Sequence, residues 1–518
     1  MTKCSDWLGC AHAFLAHFKT YLLSESGKTV IKTFIPADSR RLLKSKKFLF
    51  SLFFLWYLSL SFFRHYSLNS GIYDLGIFAQ WSYLAGIGEY WSPSSLTEYV
   101  KPALGDHFSL LLVPLGLIIR LIPSAYTLLL VQSAGLAILS SSFLGLILSS
   151  PLSDRHRWLI VLSVLVNPFF FNSSLNDFHP EIAFSFLGFA SLVFLREKQT
   201  IKSLVLLSLF VFSKEAMAVF AIGYAIYAWA LNRRSLAIGV FLAAIAYFLC
   251  ASSIVDVFQN YSTSRYGHLG ESYPDVLTSL FRRPGDFFSA LLNRQSLVYL
   301  AGILLPFWAF LCWPAAWPGL FAATPLIIAN LLSASAVMRN PIYQYQLPIV
   351  LFILVAIIDS FDYLRVRLFG SRLGRRTAVF LVSSTTAFFL LSQWYLLPTQ
   401  FLRYINASPA ILRLEIELSS PQLRVWANER IASHFSARKG IFYRLDDINK
   451  MPFDVIISPA YIQDKPPKSI LTKFRNLLFS YGDDAAFVET NAIKEMLDSS
   501  EYTCQESSIL VCRGYGAQ

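Results

Sequence analysis

Between Lys47 and Pro398 the chain returns repeatedly to long apolar runs, many near the roughly 20 residues an α-helix needs to cross a hydrocarbon core. Inside lipid a backbone must satisfy its own hydrogen bonds, so runs of this kind leave spanning helices as the solution. Composition agrees. Of 518 residues, 55% are hydrophobic and only 15% charged, against about a quarter charged in an ordinary soluble domain. The sequence predicts an all-α polytopic membrane protein, a helical bundle that ends in a small α/β domain.

Spans are expected near 48–63, 124–150, 157–173, 181–195, 201–213, 216–231, 235–257, 296–312, 315–335, 343–364 and 377–397, about 11–12 in all depending on 108–122. That last stretch is short and broken by Pro114 and Gly116. If it is re-entrant or interfacial, the basic groups Arg155/Arg157, Arg196/Lys198/Lys202, Arg233/Arg234 and Arg365/Arg367/Arg372/Arg375/Arg376 all fall on the side of the N-terminus, as cytoplasmic loops require. The first 46 residues lack the short apolar core and small-residue site of a cleavable signal, so 48–63 is expected as an uncleaved first span. This gives a cytoplasmic segment 1–47, a membrane domain 48–397 with its first external loop at 64–107, and an external α/β domain 398–518. In the tail we expect a helix across 421–436, short strands in "GIFYRL" and "FDVIISPAY", and a hairpin in "YTCQESSILVCRG". Cys504 and Cys512 either oxidise across that hairpin or remain two buried thiols. The net charge of +12 is accounted for by orientation-setting Lys and Arg between spans, so no nucleic-acid partner is implied.

On this topology the polar connections 64–107, 174–180, 214–215, 258–295 and 336–342 share the external face with the tail, and chemistry-bearing residues concentrate in them. Leu75, Phe78, Trp81 and Ala85 recur at helical spacing, predicting an amphipathic surface helix with Asp74 just before it. Asp74 is then either its N-cap or a carboxylate held at the lipid boundary to take a proton from an acceptor hydroxyl. Asp106 and His107 stand where the loop re-enters the membrane, Asp106 with the same capping alternative. In "NDFHPEIAF", Pro180 suits the first helical position, which makes His179 the cap and puts Glu181 in the first turn. Asp177 and His179 would face one side of the extended approach. Asp177, His179 and Glu181 suit hydrogen bonding or acid–base work on a substrate, and a divalent metal is left open, although the spacing matches no strong metal motif. Lys214 and Glu215 are ionisable groups at membrane depth, either an ion pair with each other or part of a functional interior. Arg265, Arg282, Arg283 and Arg339 run against the positive-inside pattern; guanidinium forks for a lipid phosphate would explain them, as would pairing with Glu271, Asp275 and Asp286.

In order and setting, "YDLGIFAQ", "GDHFSLLLVPL", "NDFHPEIAF" and "KEAMAVF", then "WANERIASHFSARKGIFYR" and "FDVIISPA", resemble a family of bacterial multi-pass membrane proteins labelled as a domain of unknown function. That family looks distantly similar to the GT-C superfamily of glycosyltransferases. The likeness covers about Tyr73 to Tyr461. It implies a GT-C-like bundle in the bacterial plasma (inner) membrane, fed by a polyprenyl-phosphate-linked sugar donor among the membrane lipids. It also implies that Asp74 occupies the position of the catalytic base. Asp106, His107, Asp177, His179, Glu181, Lys214, Glu215 and Tyr345 are then expected to bind substrate, and the four arginines to bind phosphate. Gln344 departs from the histidine expected before Tyr345 in relatives. A transporter or flippase of a lipid-linked or anionic solute is the alternative, kept open by Lys214–Glu215. A plain membrane anchor for the tail would leave the clustered acids and imidazoles unexplained.

Overall fold

The computed structural model describes residues 45–459 and 502–514, except 98–101, 149–153, 259–263, 368–371, 393, 398–400, 402–404, 406, 445–446, 448–451 and 507–508. Nearly all of the expected N-terminal segment 1–47, and the stretch of the tail from 460 to 501, lie outside the described residues.

Among the described residues, six helical stretches are long and apolar enough to cross a bilayer: Lys46–Tyr66, Ala125–Leu148, Arg234–Phe258, Arg294–Leu311, Pro314–Leu332 and Gln344–Leu364. A seventh candidate is the pair Arg157–Leu165 and Pro168–Leu175, bent by 41°. The bend has a local cause. The side chain of Asn167 caps the second helix, accepting from Phe169 N at 2.9 Å, and Pro168 follows at the first helical position. Ser185–Arg196, Thr200–Val211, Met217–Ala230 and Phe380–Leu391 are shorter apolar helices. The run at 181–195 is split at Phe184 into a one-turn helix, Pro180–Ala183, and the helix Ser185–Arg196. Leu112–Leu121, at 10 residues, rises only about 15 Å and is too short to cross by itself.

The two largest apolar cores among the described residues hold the bundle and the tail together. One fills the bundle, with Phe53, Tyr57, Phe170, Phe210, Tyr224 and Phe352 fully buried. The other joins the first loop to the tail: Ile72, Leu75 and Trp81 pack with Ile411, Ile431, Phe435 and Ile441. This second core corrects an expectation. The helix Ile77–Gly86 does not lie amphipathically on a surface, because all of its residues but Tyr83 are buried beneath the tail domain. Gln80 donates there to the carbonyl of Arg438 at 3.2 Å, and Ser95 donates to that of Ile441.

The tail carries a five-stranded sheet in the order β2-β1-β3-β5-β4, with β1 Val425–Ala427, β2 Ile441–Phe442, β3 Val455–Pro459, β4 Tyr502–Glu506 and β5 Ile509–Gly514. β1 pairs in parallel with β2 and β3, and the β4–β5 hairpin joins antiparallel to β3. The helix expected across 421–436 is overturned at its start: "VWA" is a buried inner strand between β2 and β3, and only Glu429–Ala432 and a following 3₁₀ turn coil. A β-branched and an aromatic residue gain more from two strand neighbours than from a solvated helix. Cys512 is disulfide-bonded, and Cys504 is its directly opposed residue in the hairpin register.

Candidate functional site

The connections that sequence reasoning assigned to one face do meet at one end of the bundle. Gly71 opens a single π-helical turn, Ile72–Gly76, that runs into the Ile77–Gly86 helix. Asp74 therefore lies inside the turn and not at its cap, which Gly71 occupies. A π turn widens the coil and re-aims its side chains, a device frequent at functional sites. Here it sets Asp74 Oδ1 3.2 Å from His179 Nε2. The imidazole is buried, while the Asp74 side chain is 48% exposed.

His179 is the N-cap of Pro180–Ala183, as expected, with extended backbone at φ −137°. Its ring is fixed from both sides. Nδ1 lies 2.8 Å from the carbonyl of Asp177; a carbonyl only accepts, so Nδ1 carries a proton and Nε2 faces Asp74. Burial works to depress the His179 pKa, but the Asp74 charge and hydrogen bond, with Glu181 behind, raise it above the ordinary value. Conversely, desolvation works to raise Asp74, and His179, Arg64 and Lys214 together hold it below the usual carboxylate range. The two shifts favour the ionised pair, with the Asp74 carboxylate facing solvent.

Around this pair runs a chain of ionic contacts. Asp177 Oδ2 accepts from Gly71 N at 2.8 Å and from Arg64 at 3.4 Å, while its Oδ1 is buried with no partner. Desolvation and the neighbouring Asp74 push the Asp177 pKa up against Arg64. Lys214 and Glu215 do not pair with each other. Lys214 Nζ reaches Glu181 Oε1 at 3.2 Å, and Glu215 takes His107 Nδ1 at 3.0 Å and Phe108 N at 2.9 Å. Asp106 lies 3.8 Å from His107. The Lys214 ammonium is desolvated, yet Glu181 and Glu215 hold its pKa up.

Asp106, His107, Glu181, Lys214, Glu215, Arg265 and Tyr345 line one cavity of about 400 Å³ together with Asn330. Its remaining walls are mostly apolar, among them Val219, Ile222, Phe248, Leu326 and Ile328, with Ser252 and Tyr266 as the exceptions. Arg265 donates to the Tyr345 hydroxyl at 3.2 Å. Glu181 Oε2 is buried here with no hydrogen-bond partner. Asp74, Asp177 and His179 sit behind this wall, linked to it through Phe78, whose ring packs against both His179 and His107.

Of the expected phosphate-binding arginines, only Arg265 lines the cavity. Arg282 points outward, 73% exposed and 3.9 Å from Asp275, and Arg283 donates to the carbonyl of Leu269 at 2.5 Å. Arg339 is likewise absent from the lining, its Nε buried and unpartnered. The metal left open for Asp177, His179 and Glu181 finds no common centre there, because Arg64, Asp74 and Lys214 engage them separately. Two residues escaped the sequence reading. Arg64 ends the first span and holds Asp177. Gln132, buried within Ala125–Leu148, accepts from His179 N at 2.8 Å and donates to the carbonyls of Ser173 and Asn176 at 3.2 Å. A buried amide within an apolar run was the available signal.

The sequence matches the family described as "Predicted membrane protein (DUF2079)" over residues 64–437. No curated protein matches it. Among solved structures, ArnT from Cupriavidus metallidurans in the apo state superposes with a TM-score of 0.45 at 10% identity, over 85% of this chain and 93% of that one. An overlap at that level carries no functional argument.

Proposed function

Because the chain belongs to the DUF2079 family of predicted membrane proteins, whose description names no reaction, we propose one from the chemistry of the cavity: transfer of a sugar from a polyprenyl-phosphate donor to a hydroxyl acceptor. We assign the reaction to the external face of the plasma membrane. The observation that carries this reading is the division of the cavity into a polar end and an apolar flank. A prenyl chain fits the apolar wall, and the phosphate meets Lys214 and Arg265, the latter by its guanidinium fork. Sugar hydroxyls donate to Asp106, Glu215 and the unpartnered oxygen of Glu181. Three carboxylates suit a polyol better than a second anion.

In the step itself, Asp74, which does not line the cavity but opens to solvent beside it, accepts the proton of an acceptor hydroxyl that enters from that side. That oxygen bonds to the anomeric carbon while the carbon–oxygen bond to phosphate breaks on the opposite face, inverting configuration, and the electron pair leaves with the lipid phosphate. Lys214 and Arg265 are fixed charges aimed at that leaving group, the kind of preorganisation that dominates catalysis. His179 keeps Asp74 ionised until the hydroxyl arrives.

Purified protein supplied with a radiolabelled polyprenyl-phosphate sugar tests the assignment: transfer by Asp74→Asn at the wild-type rate removes Asp74 from the mechanism. A reporter fused after Asn176 tests sidedness, and a cytosolic signal there removes the external site. The buried Lys214–Glu181 pair favours a second reading, lipid translocation, because ionisable groups at membrane depth also serve transport. Flux of labelled lipid across reconstituted vesicles without covalent product would select it.

A further inference from the structure

At the seam between the first span and the tail domain lies a group of side chains that the transfer reaction does not use. His65 is the penultimate residue of Lys46–Tyr66. Glu415 comes from the helix Ser408–Glu417, and His434 from the 3₁₀ turn Ser433–Phe435. One ligand atom from each falls within 4.8 Å of the others. His434 Nδ1 lies 2.5 Å from Glu415 Oε1, and the two imidazoles stack with centroids 3.8 Å apart. His65 is wholly buried and the His434 side chain is 2% exposed.

What marks the group is its unspent valence. Both ring nitrogens of His65 and Nε2 of His434 are buried with no hydrogen-bond partner. A neutral imidazole carries one donor and one lone pair, and burying them unanswered is costly unless something binds there. Glu415 Oε1 lies against Nδ1 of His434, so a carboxylate oxygen and an imidazole nitrogen already stand side by side next to His65. The edge of Tyr126 closes the group off, 4.6 Å from His65 and 6.3 Å from His434 between ring centroids.

The geometry points to a divalent transition-metal site, filled by zinc, formed by His65, His434 and Glu415 and clamping the tail domain onto the end of the first span. Two imidazoles and a carboxylate suit zinc, whose ligand bonds of about 2.0–2.2 Å place tetrahedral ligand atoms roughly 3.4 Å apart. Binding requires the stacked rings to turn until their lone pairs converge, and Glu415 Oε1 and His434 Nδ1, 2.5 Å apart, to open toward that spacing. The clamp adjoins the reaction loop: Ser433 donates to the carbonyl of Ser70 at 3.3 Å, and Arg64, beside His65, holds Asp177.

The test uses full-length protein in detergent with its purification tag removed, and elemental analysis for zinc. About one zinc per chain is expected, falling to below roughly a tenth in His65→Ala and His434→Ala. Because those variants can misfold, wild-type protein stripped with chelator is also titrated with zinc and with magnesium. Its Tm should climb with each tenfold rise in free zinc, by mass action on a folded-state site, and stay flat with magnesium. Wild-type protein that neither retains zinc nor gains Tm from it overturns the assignment. So does zinc retained at about one per chain in both His65→Ala and His434→Ala.

Discussion

Ion pairs gather at both ends of this bundle, and the two ends treat them differently. At one, Arg196 at the close of Ser185–Arg196 meets Asp359 at 2.6 Å and also Asp362, while the Tyr227 hydroxyl donates to the second oxygen of Asp359 at 2.8 Å. Asp359 lies 12 residues beyond Leu347 in its helix, about 18 Å along the axis from the cavity end. At the cavity end the pairs are Asp74–His179, Glu181–Lys214 and Glu215–His107, and oxygens of Asp177 and Glu181 are left without partners. Saturated charge holds helices together. Charge left partly unanswered beside a cavity is available to a guest.

The largest expected contrast is between Asp74→Asn and Arg196→Ala. The first should lower sugar transfer by about 100-fold or more, the scale of a lost general base, and lower Tm only by the share that the Asp74–His179 pair contributes. The second should lower Tm and leave turnover per folded molecule intact; a transfer-dead Arg196→Ala with normal Tm would erase the contrast. Next is Lys214→Met, which strands Glu181 in an apolar wall and should cost about 3–5 kcal/mol in a denaturation titration. Adding Glu181→Leu should recover most of that stability without recovering transfer. Recovery of both would make the pair cohesive, like its counterpart at the far end.

The Asp74–His179 pair also makes stability depend on pH in a defined direction. The folded pKa of His179 is raised, so its contribution is fully present below the unfolded value of about 6.5 and is lost as pH climbs through the higher folded value. Asp74, whose folded pKa is lowered, contributes above its unfolded value and loses that contribution as pH falls through the folded one. Tm measured upward from pH 6 should therefore fall in wild type and stay flatter in Asp74→Asn; parallel profiles would show that the two groups are not coupled. The smallest effect should come from Lys439→Ala. It removes an exposed 2.8 Å pair with Glu89 and should shift stability by less than about 1 kcal/mol.

Sequence alone made the bundle legible because lipid imposes helix length; the runs it marked carry helix here, although among the described residues six stretches, or seven with the bent pair, are long enough to cross, against about 11–12 expected. It also gathered Asp106, His107, Glu181, Lys214 and Glu215 into one place through the sidedness of their loops, and the cavity joins them. What it could not supply were pairings set by depth and packing. Lys214 and Glu215 are neighbours in sequence, yet each turns to a different partner. His65 and His434 stack although 369 positions separate them (434 − 65), and nothing local to either announces the other. The strand at Val425–Ala427 was hidden in a pattern equally readable as helix, because its parallel neighbours arrive later in the chain.

Gly135 faces the turn that carries His179 and Glu181. A Cβ at this position would stand 1.9 Å from the carbonyl oxygen of Ala183, inside the distance that two unbonded atoms tolerate. The separation between the Ala125–Leu148 helix and the reacting wall is thus set by a single hydrogen atom. One added methyl would act as a wedge, tilting the imidazole and the glutamate away from their partners while every polar group of the site kept its identity.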